Sequence, residues 1–385
     1  MKAIIAYPSC ISLLLLALAA NADGSTVEER RIDQARQAMP DVAARMQSLT
    51  ADGVSLLQVA ESPDALSDMA HLVGTRLWRN ARENLPNTNI PDDRGLYWSR
   101  LLLTRFLRSH DFTFGPDDSQ RLAAIEKLEE ASRGRSDLVY QHNTEKRILL
   151  TGFDPFLLDR NIEQSNPSGV IALRLDDRTI ADNGITARVN TVIFPVRYGD
   201  FDAGEVESLL APVYALDQVD MVVTVSMGRD QFDLERFPGR RRSAEAPGNL
   251  NVYSGGFADN PMVPLLYNAP LDGPEFVEIS LPVAAMQGAS GDYKIRDRRW
   301  VTTLEKAFEP GSLSQLRGAI AVQGGGGGYL SNEISYRSIR LRNLMGSTIP
   351  TGHIHTPRIS SFDPETIDRI AAQVEEMLKL ALPAI

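Results

Sequence analysis

The hydrophobic pattern of this chain changes period once. From Thr26 to about Gln141 apolar residues recur at helical spacing with no strand-like alternation, and from Lys146 onward short apolar runs alternate with amphipathic stretches. Helix-period segments in series build a helical module, whereas strand–helix alternation builds a mostly parallel sheet with helices on both faces. The chain is therefore expected to carry an α-helical N-terminal domain at 23–145 and an α/β domain at 146–385, behind a leader at 1–22. With 385 residues, 43% of them apolar, it has the material for two cores.

In the first half, Pro63 to Leu85 and Arg94 to Ser109 read as helices, with Leu72, Leu77 and Trp78 facing inward in one and Leu101, Leu102, Phe106 and Leu107 in the other. Ser62 before Pro63 is a cap, and Asp117-Asp118-Ser119 opens a third helix over Gln120 to Ser132. His71 and His110 stand alone and read as ordinary helix or cap residues. Trp78 and Trp98 read as core or as contact with the second domain.

In the second half, strands are expected at Arg147 to Gly152, Ala187 to Val196, Met221 to Ser226, Phe276 to Leu281 and Thr351 to His355. Helices are expected at Pro167 to Leu175, capped by Asn166, at Trp300 to Phe308, at Ser331 to Leu341, and from Asp363-Pro364-Glu365 to the end. The last of these carries Ile367, Ile370, Val374, Met377, Leu378 and Ala381 as one apolar stripe.

In such a sheet ligands gather at the carboxyl ends of the strands. Gly324 to Gly328 join a buried strand to a helix that opens on Ser331 and Asn332, where free N–H groups and the dipole can steady an oxyanion. His355 follows 24 residues after Ser331, at the end of a strand, and Glu235 lies upstream in a segment that begins Gly228-Arg229. Nucleophile, imidazole and carboxylate together read as a Ser331–His355–Glu235 triad. The glycine run is not followed by Lys-Ser or Lys-Thr, which argues against a nucleotide loop. His353 shares a strand face with His355, but two histidines without clear carboxylate or cysteine partners make a weak metal site, and neither a metal nor a cofactor is expected.

These segments resemble the type I pyroglutamyl peptidases, also called pyrrolidone carboxyl peptidases, over roughly residues 146 to 385. The likeness rests on Ile148-Leu149-Leu150-Thr151-Gly152-Phe153-Asp154-Pro155-Phe156 with Asn166-Pro167-Ser168, on Gly228-Arg229 with Glu235-Arg236, on Gly328-Tyr329-Leu330-Ser331-Asn332, and on Ile354-His355-Thr356-Pro357. The resemblance implies removal of an N-terminal pyroglutamyl group, a pocket for the flat ring made by Phe153 and Phe156, and an arginine, Arg229, at the oxyanion or substrate carbonyl. For Arg229 an ion pair with Asp230, Asp233 or Glu235 is an equally good reading. Three departures stand out. Ser331 occupies the place of the family's nucleophilic cysteine, Leu157-Leu158 replace two glycines, and Phe237-Pro238-Gly239 replace an Ala-x-Asn segment. Residues 254 to 287 also lengthen the interval between Glu235 and Ser331, as an expected loop or hairpin near the mouth of the site.

A serine suits the expected compartment. Lys2, the apolar run from Ile11 to Ala19 and Ala20-Asn21-Ala22 read as a cleavable export signal, and the chain's single cysteine, Cys10, lies inside it. A secreted or periplasmic mature chain would then have no thiol to oxidise, and no stable membrane span. The net charge of -10 disfavours a nucleic-acid partner. Arg240-Arg241-Arg242, the one dense basic cluster, reads as a solvated loop, as does His142 in the interdomain linker. The expected partner is a peptide or small amide. Two function classes follow: a serine hydrolase, or a silent relative that binds peptide ends or a protein partner.

Overall fold

The computed structural model of the protein describes residues 24–83, 92–138 and 146–385. The leader expected at 1–22 with Cys10, and His142, lie outside the described residues. Among those residues no helix is long and apolar enough to cross a membrane.

Two short helical segments, Val27–Arg30 and Ile32–Ala38, lead into α1 (Pro40–Gln58), α2 (Pro63–Glu83), α3 (Asp93–Ser109) and α4 (Asp118–Ser132). The expected caps form. Ser62 Oγ accepts from the Ala65 N–H at 3.2 Å, and Asp117 and Gln120 make a reciprocal capping box at the start of α4. Leu77, Trp78, Leu101 and Leu107 are buried, but Leu72 is 41% exposed. The inward face of α2 is set by small residues instead. Gly74 lies so close to α4 that an added Cβ would stand 2.7 Å from the Leu128 carbonyl, which turns Ala70, Val73 and Leu77 inward and Leu72 out.

The α/β part is built on a seven-stranded sheet. Its strands are β1 (Lys146–Phe153), β2 (Arg178–Asp182), β3 (Ile185–Phe194), β4 (Met221–Met227), β5 (Phe232–Glu235), β6 (Ile295–Arg298) and β7 (Thr351–Thr356). Their order is β2-β3-β1-β4-β7-β5-β6. Pairings β2/β3 and β7/β5 are antiparallel and the other four are parallel. The longer helices here are α5 (Pro167–Leu175), α6 (Glu205–Ala215), α7 (Leu330–Leu344) and α8 (Pro364–Ala381). Alternation along the strands sorts them onto two faces. Ile148 and Leu150 pack with α5 and α8, while Leu149 and Val222 pack with α6 and α7. The α8 stripe expected from sequence is wholly buried. Leu77, Trp78 and Leu128 of the helical domain belong to the same cluster as α5 and α8, so the two domains share a core.

Three expectations are corrected. Phe276 to Leu281 is extended and buried at alternate positions but is not a sheet strand. It bonds to the segment after Glu235 through Val277 N to Pro238 O and Ile279 N to Arg236 O, and Pro238 has no N–H to continue a ladder. Trp300 to Phe308 is a hairpin of strands Val301–Thr303 and Ala307–Phe308, not a helix. Three successive β-branched residues favour the strand, and the Thr303 hydroxyl closes the turn by accepting from Glu305 and Lys306 N–H groups and donating to Lys306 O. The arginine cluster is an ion-pair hub and not a solvated loop. Arg242 is buried between Glu333 and Asp202, and Arg240 and Arg241 both pair with Glu275.

Candidate active site

Strands β4, β7 and β5 lie side by side at the centre of the site. Thr224 is registered with His353 and Ser226 with His355 across β4/β7, while His355 faces Asp233 across β7/β5. A period of two puts His353 and His355 on one face of the sheet. Glu235, the last residue of β5 and completely buried, brings Oε1 against Nδ1 of His355. Beyond that contact neither Glu235 oxygen has a hydrogen-bond partner among the described residues.

The glycine turn packs directly on that carboxylate. A Cβ on Gly326 would lie 2.2 Å from Glu235 Oε2, and one on Gly325 would lie 3.1 Å from Glu235 Cβ. Gly327 sits at φ +87° and closes the turn through paired bonds with Gly324. Ser331, in the first turn of α7, donates its hydroxyl to Gly326 O at 3.2 Å. No hydrogen bond joins Ser331 to His355 in this conformation. Phe153, Phe156, Ser226, Met227, Tyr329 and Ser331 all line one pocket, and Phe156 stacks on Tyr329 with ring centroids 6.2 Å apart. The pocket thus brings both phenylalanines to Ser331, while His355 and Glu235 pair under the turn and outside the pocket lining.

Arg229 and Asn332 have other partners. Arg229 is partly exposed and donates to Asp233 at 3.3 Å, so of its candidate ion pairs the one with Asp233 forms. Asn332 is buried, with its Nδ2 donating to Gly239 O at 2.7 Å and its Oδ1 accepting from Gly239 N at 2.9 Å. Its side chain therefore clamps α7 to the segment after Glu235, giving one of its two Nδ2 protons to Gly239 O. Backbone N–H groups at the start of α7 are further candidate donors beside Ser331.

His353 is the residue whose surroundings the sequence did not reveal. Its ring is fully buried, with Thr224 Oγ1 2.7 Å from Nδ1 and Ser226 Oγ 2.8 Å from Nε2. Burial, and then the neighbouring His355, push its pKa well below the ordinary 6.5, so the ring is neutral. Glu235, His353 and His355 each bring a potential metal ligand atom within 4.8 Å of the others. Both nitrogens of His353 are engaged by hydroxyls and Nδ1 of His355 by Glu235, so the trio does not fit a ligand set as it stands. Ser226 was readable in principle, since it ends an apolar strand where ligands gather in a parallel sheet.

The helical domain holds the loops that shape the pocket. Asp154, between Phe153 and Phe156, accepts from Arg100 at 3.0 Å and from Arg133 at 2.6 Å, all three side chains buried. Asp93 accepts from Ser165 Oγ at 2.5 Å and from Asn166 N at 2.8 Å, and Asn166 Nδ2 donates to Asp154 O.

Comparison with known proteins gives two kinds of similarity. A family model described as the PA0049 C-terminal domain matches residues 147–303 and 294–360, and one described as the PA0049 N-terminal domain matches residues 16–129. The uncharacterized protein PA0049 of Pseudomonas aeruginosa is 29% identical over 386 aligned positions, covering 75% of this chain and 69% of that protein. Among solved structures, pyrrolidone carboxyl peptidase of Pyrococcus furiosus aligns at a TM-score of 0.42 and 21% identity, over 62% of this chain and 97% of that one. Its counterpart from Thermococcus litoralis aligns at 0.40 and 19%, over 62% and 94%.

Proposed function

The chain belongs to the PA0049 family, and we propose that it is an exported serine-dependent amidohydrolase or peptidase acting on an N-terminal pyroglutamyl or related amide. The observation that carries this reading is the buried Glu235–His355 pair under the glycine turn whose far end bears Ser331. The aromatic pocket open to Ser331 supports a flat acyl group.

In this reading Ser331 Oγ leaves Gly326 O by rotation about χ1 and attacks the amide carbonyl carbon. His355 takes the hydroxyl proton, and Glu235 at Nδ1 keeps the imidazole in the required tautomer and stabilises the imidazolium. Backbone N–H groups at the start of α7 bind the oxyanion. His355 then returns the proton to the leaving amine, and water hydrolyses the acyl-Ser331 ester by the same route. Serine can do this only with a working base, because its hydroxyl does not ionise near neutral pH as a thiol does.

The test is incubation of the mature protein and its Ser331→Ala variant with a chromogenic pyroglutamyl amide. Cleavage by the parent and its loss in the variant support the reading; equal rates from both proteins refute it. The second reading, a silent binder of peptide ends, draws on one observation: the Ser331 hydroxyl is bonded to Gly326 and not to His355. Absence of both cleavage and Ser331 labelling by a fluorophosphonate would favour it. Export is tested by the N-terminal residue of the chain recovered from the periplasm or medium, expected just after Ala22.

A further inference from the structure

The pocket contains a second serine whose hydroxyl proton is already committed. Thr224 Oγ1 lies 3.2 Å from Gly352 O, to which it donates, and 2.7 Å from His353 Nδ1. A hydroxyl has one proton, so giving it to Gly352 makes Oγ1 the acceptor of the His353 Nδ1–H. A neutral ring protonated at Nδ1 has a lone pair at Nε2, and the Ser226 hydroxyl at 2.8 Å donates to it. This arrangement makes three hydrogen bonds in the buried chain from Gly352 to Ser226, whereas the opposite tautomer makes two and leaves Gly352 O without its hydroxyl donor. Ser226 lines the same pocket as Phe153, Phe156 and Ser331.

We infer that Ser226, locked as a donor to His353, offers the pocket an acceptor only, and so selects acyl groups that carry an N–H beside a flat apolar ring. Ser226 is then a specificity residue and His353 a positioning residue acting through it. A lactam N–H meets a lone pair; a ring oxygen at the same place meets another oxygen lone pair and leaves both unsatisfied. Sites built around one such bond reject the analogue that lacks the donor. His353 serves here as an acceptor and not as a general base for Ser226. Its ring nitrogens are bonded to the Thr224 and Ser226 hydroxyls, and the nearby Glu235 carboxylate pairs with His355 and not with His353.

This inference deepens the reading of Ser331 as nucleophile and rests on it for the acyl group, so the experiment separates the two. The parent protein is assayed with a pyroglutamyl anilide and with the analogue whose ring N–H is replaced by oxygen. The expected ratio of kcat/KM is at least about tenfold in favour of the lactam, falling to within about threefold in Ser226→Ala and preserved in Ser226→Thr, which keeps the acceptor. A purely structural role for Ser226 would lower both rates and leave the ratio alone. A parent that does not discriminate, or a ratio unchanged by Ser226→Ala, overturns the inference. Should the parent cleave neither compound, the hydrolase reading fails and calorimetric binding of pyroglutamic amide against its ring-oxygen analogue decides this point. Preference for the lactam that Ser226→Ala removes upholds it, and equal binding or none overturns it.

Discussion

The seam between the helical domain and the sheet treats its charges differently from the site a few strands away. At the seam every buried carboxylate has more than one donor. Asp154 takes Arg100 and Arg133, Asp176 takes Trp78, Arg82 and the Thr191 N–H, and Arg197 bridges Glu28 and Glu129. Burial alone would raise the pKa of Glu129, but Arg133, Arg197 and Arg100 hold it well below the carboxylate range. In the site, Glu235 is equally buried yet has one contact, to His355, and no arginine within pairing distance. A saturated carboxylate fixes geometry, whereas one left to a single imidazole keeps the capacity to stabilise a charge that appears only during reaction. The seam holds the segment from Asp154 to Asn166 that follows β1 and carries Phe156.

Glu235→Gln preserves shape but removes the charge behind His355, and kcat should fall by about 10⁴-fold, roughly 5 kcal/mol, with the melting temperature little changed. Steady-state kinetics beside a thermal melt checks both halves. Arg100→Met should do the reverse. It leaves Asp154 with one arginine fewer in a buried setting, and denaturant unfolding should register a loss of about 3 kcal/mol. Gly326→Ala belongs to the site but acts through space alone. The new Cβ would displace the Glu235 carboxylate, and a fall of about 10²-fold in kcat/KM with retained secondary structure is expected.

The smallest effects are in pH dependence, where the two regions have opposite signs. Burial, and then the charge of Asp92, raise Asp93 at the seam to about 7. The folded state therefore holds that proton more tightly than the unfolded chain, so its contribution declines as pH rises from about 4 through 7. Asp93→Asn should flatten stability across that window. His353 is held neutral, with its pKa depressed, so the unfolded chain binds the extra proton and stability is lost as pH falls below about 6.5. Urea midpoints measured from pH 4 to 8 on the parent, Asp93→Asn and His353→Gln resolve the two slopes.

What was legible in the sequence follows from the range of the forces involved. β1, α5 with its Asn166 cap and α8 with its buried stripe are local patterns, and period and capping chemistry suffice for them. The order of motifs along β4, β5 and β7 made Glu235 and His355 candidates for pairing, and the fold brings them into contact. The hairpin at 301–308 is ambiguous in the sequence because its apolar spacing also suits a helix, and only the run of β-branched residues argues for strands. Arg242 looked solvated because its partners lie 40 and 91 residues away, and Arg100 meets Asp154 from 54 residues away. Cross-strand register is invisible in the same way, so nothing in the sequence alone seats His353 between Thr224 and Ser226.

Activation of Ser331 by the Glu235–His355 pair is what we propose for this site. Its most direct test is to react the protein with a fluorophosphonate and locate the adduct by peptide mass mapping, in the parent and in His355→Gln. Phosphonylation of Ser331 is expected in the parent, with labelling at least about a hundredfold slower in the variant. An adduct on Ser226, or no adduct on a folded parent, would contradict it.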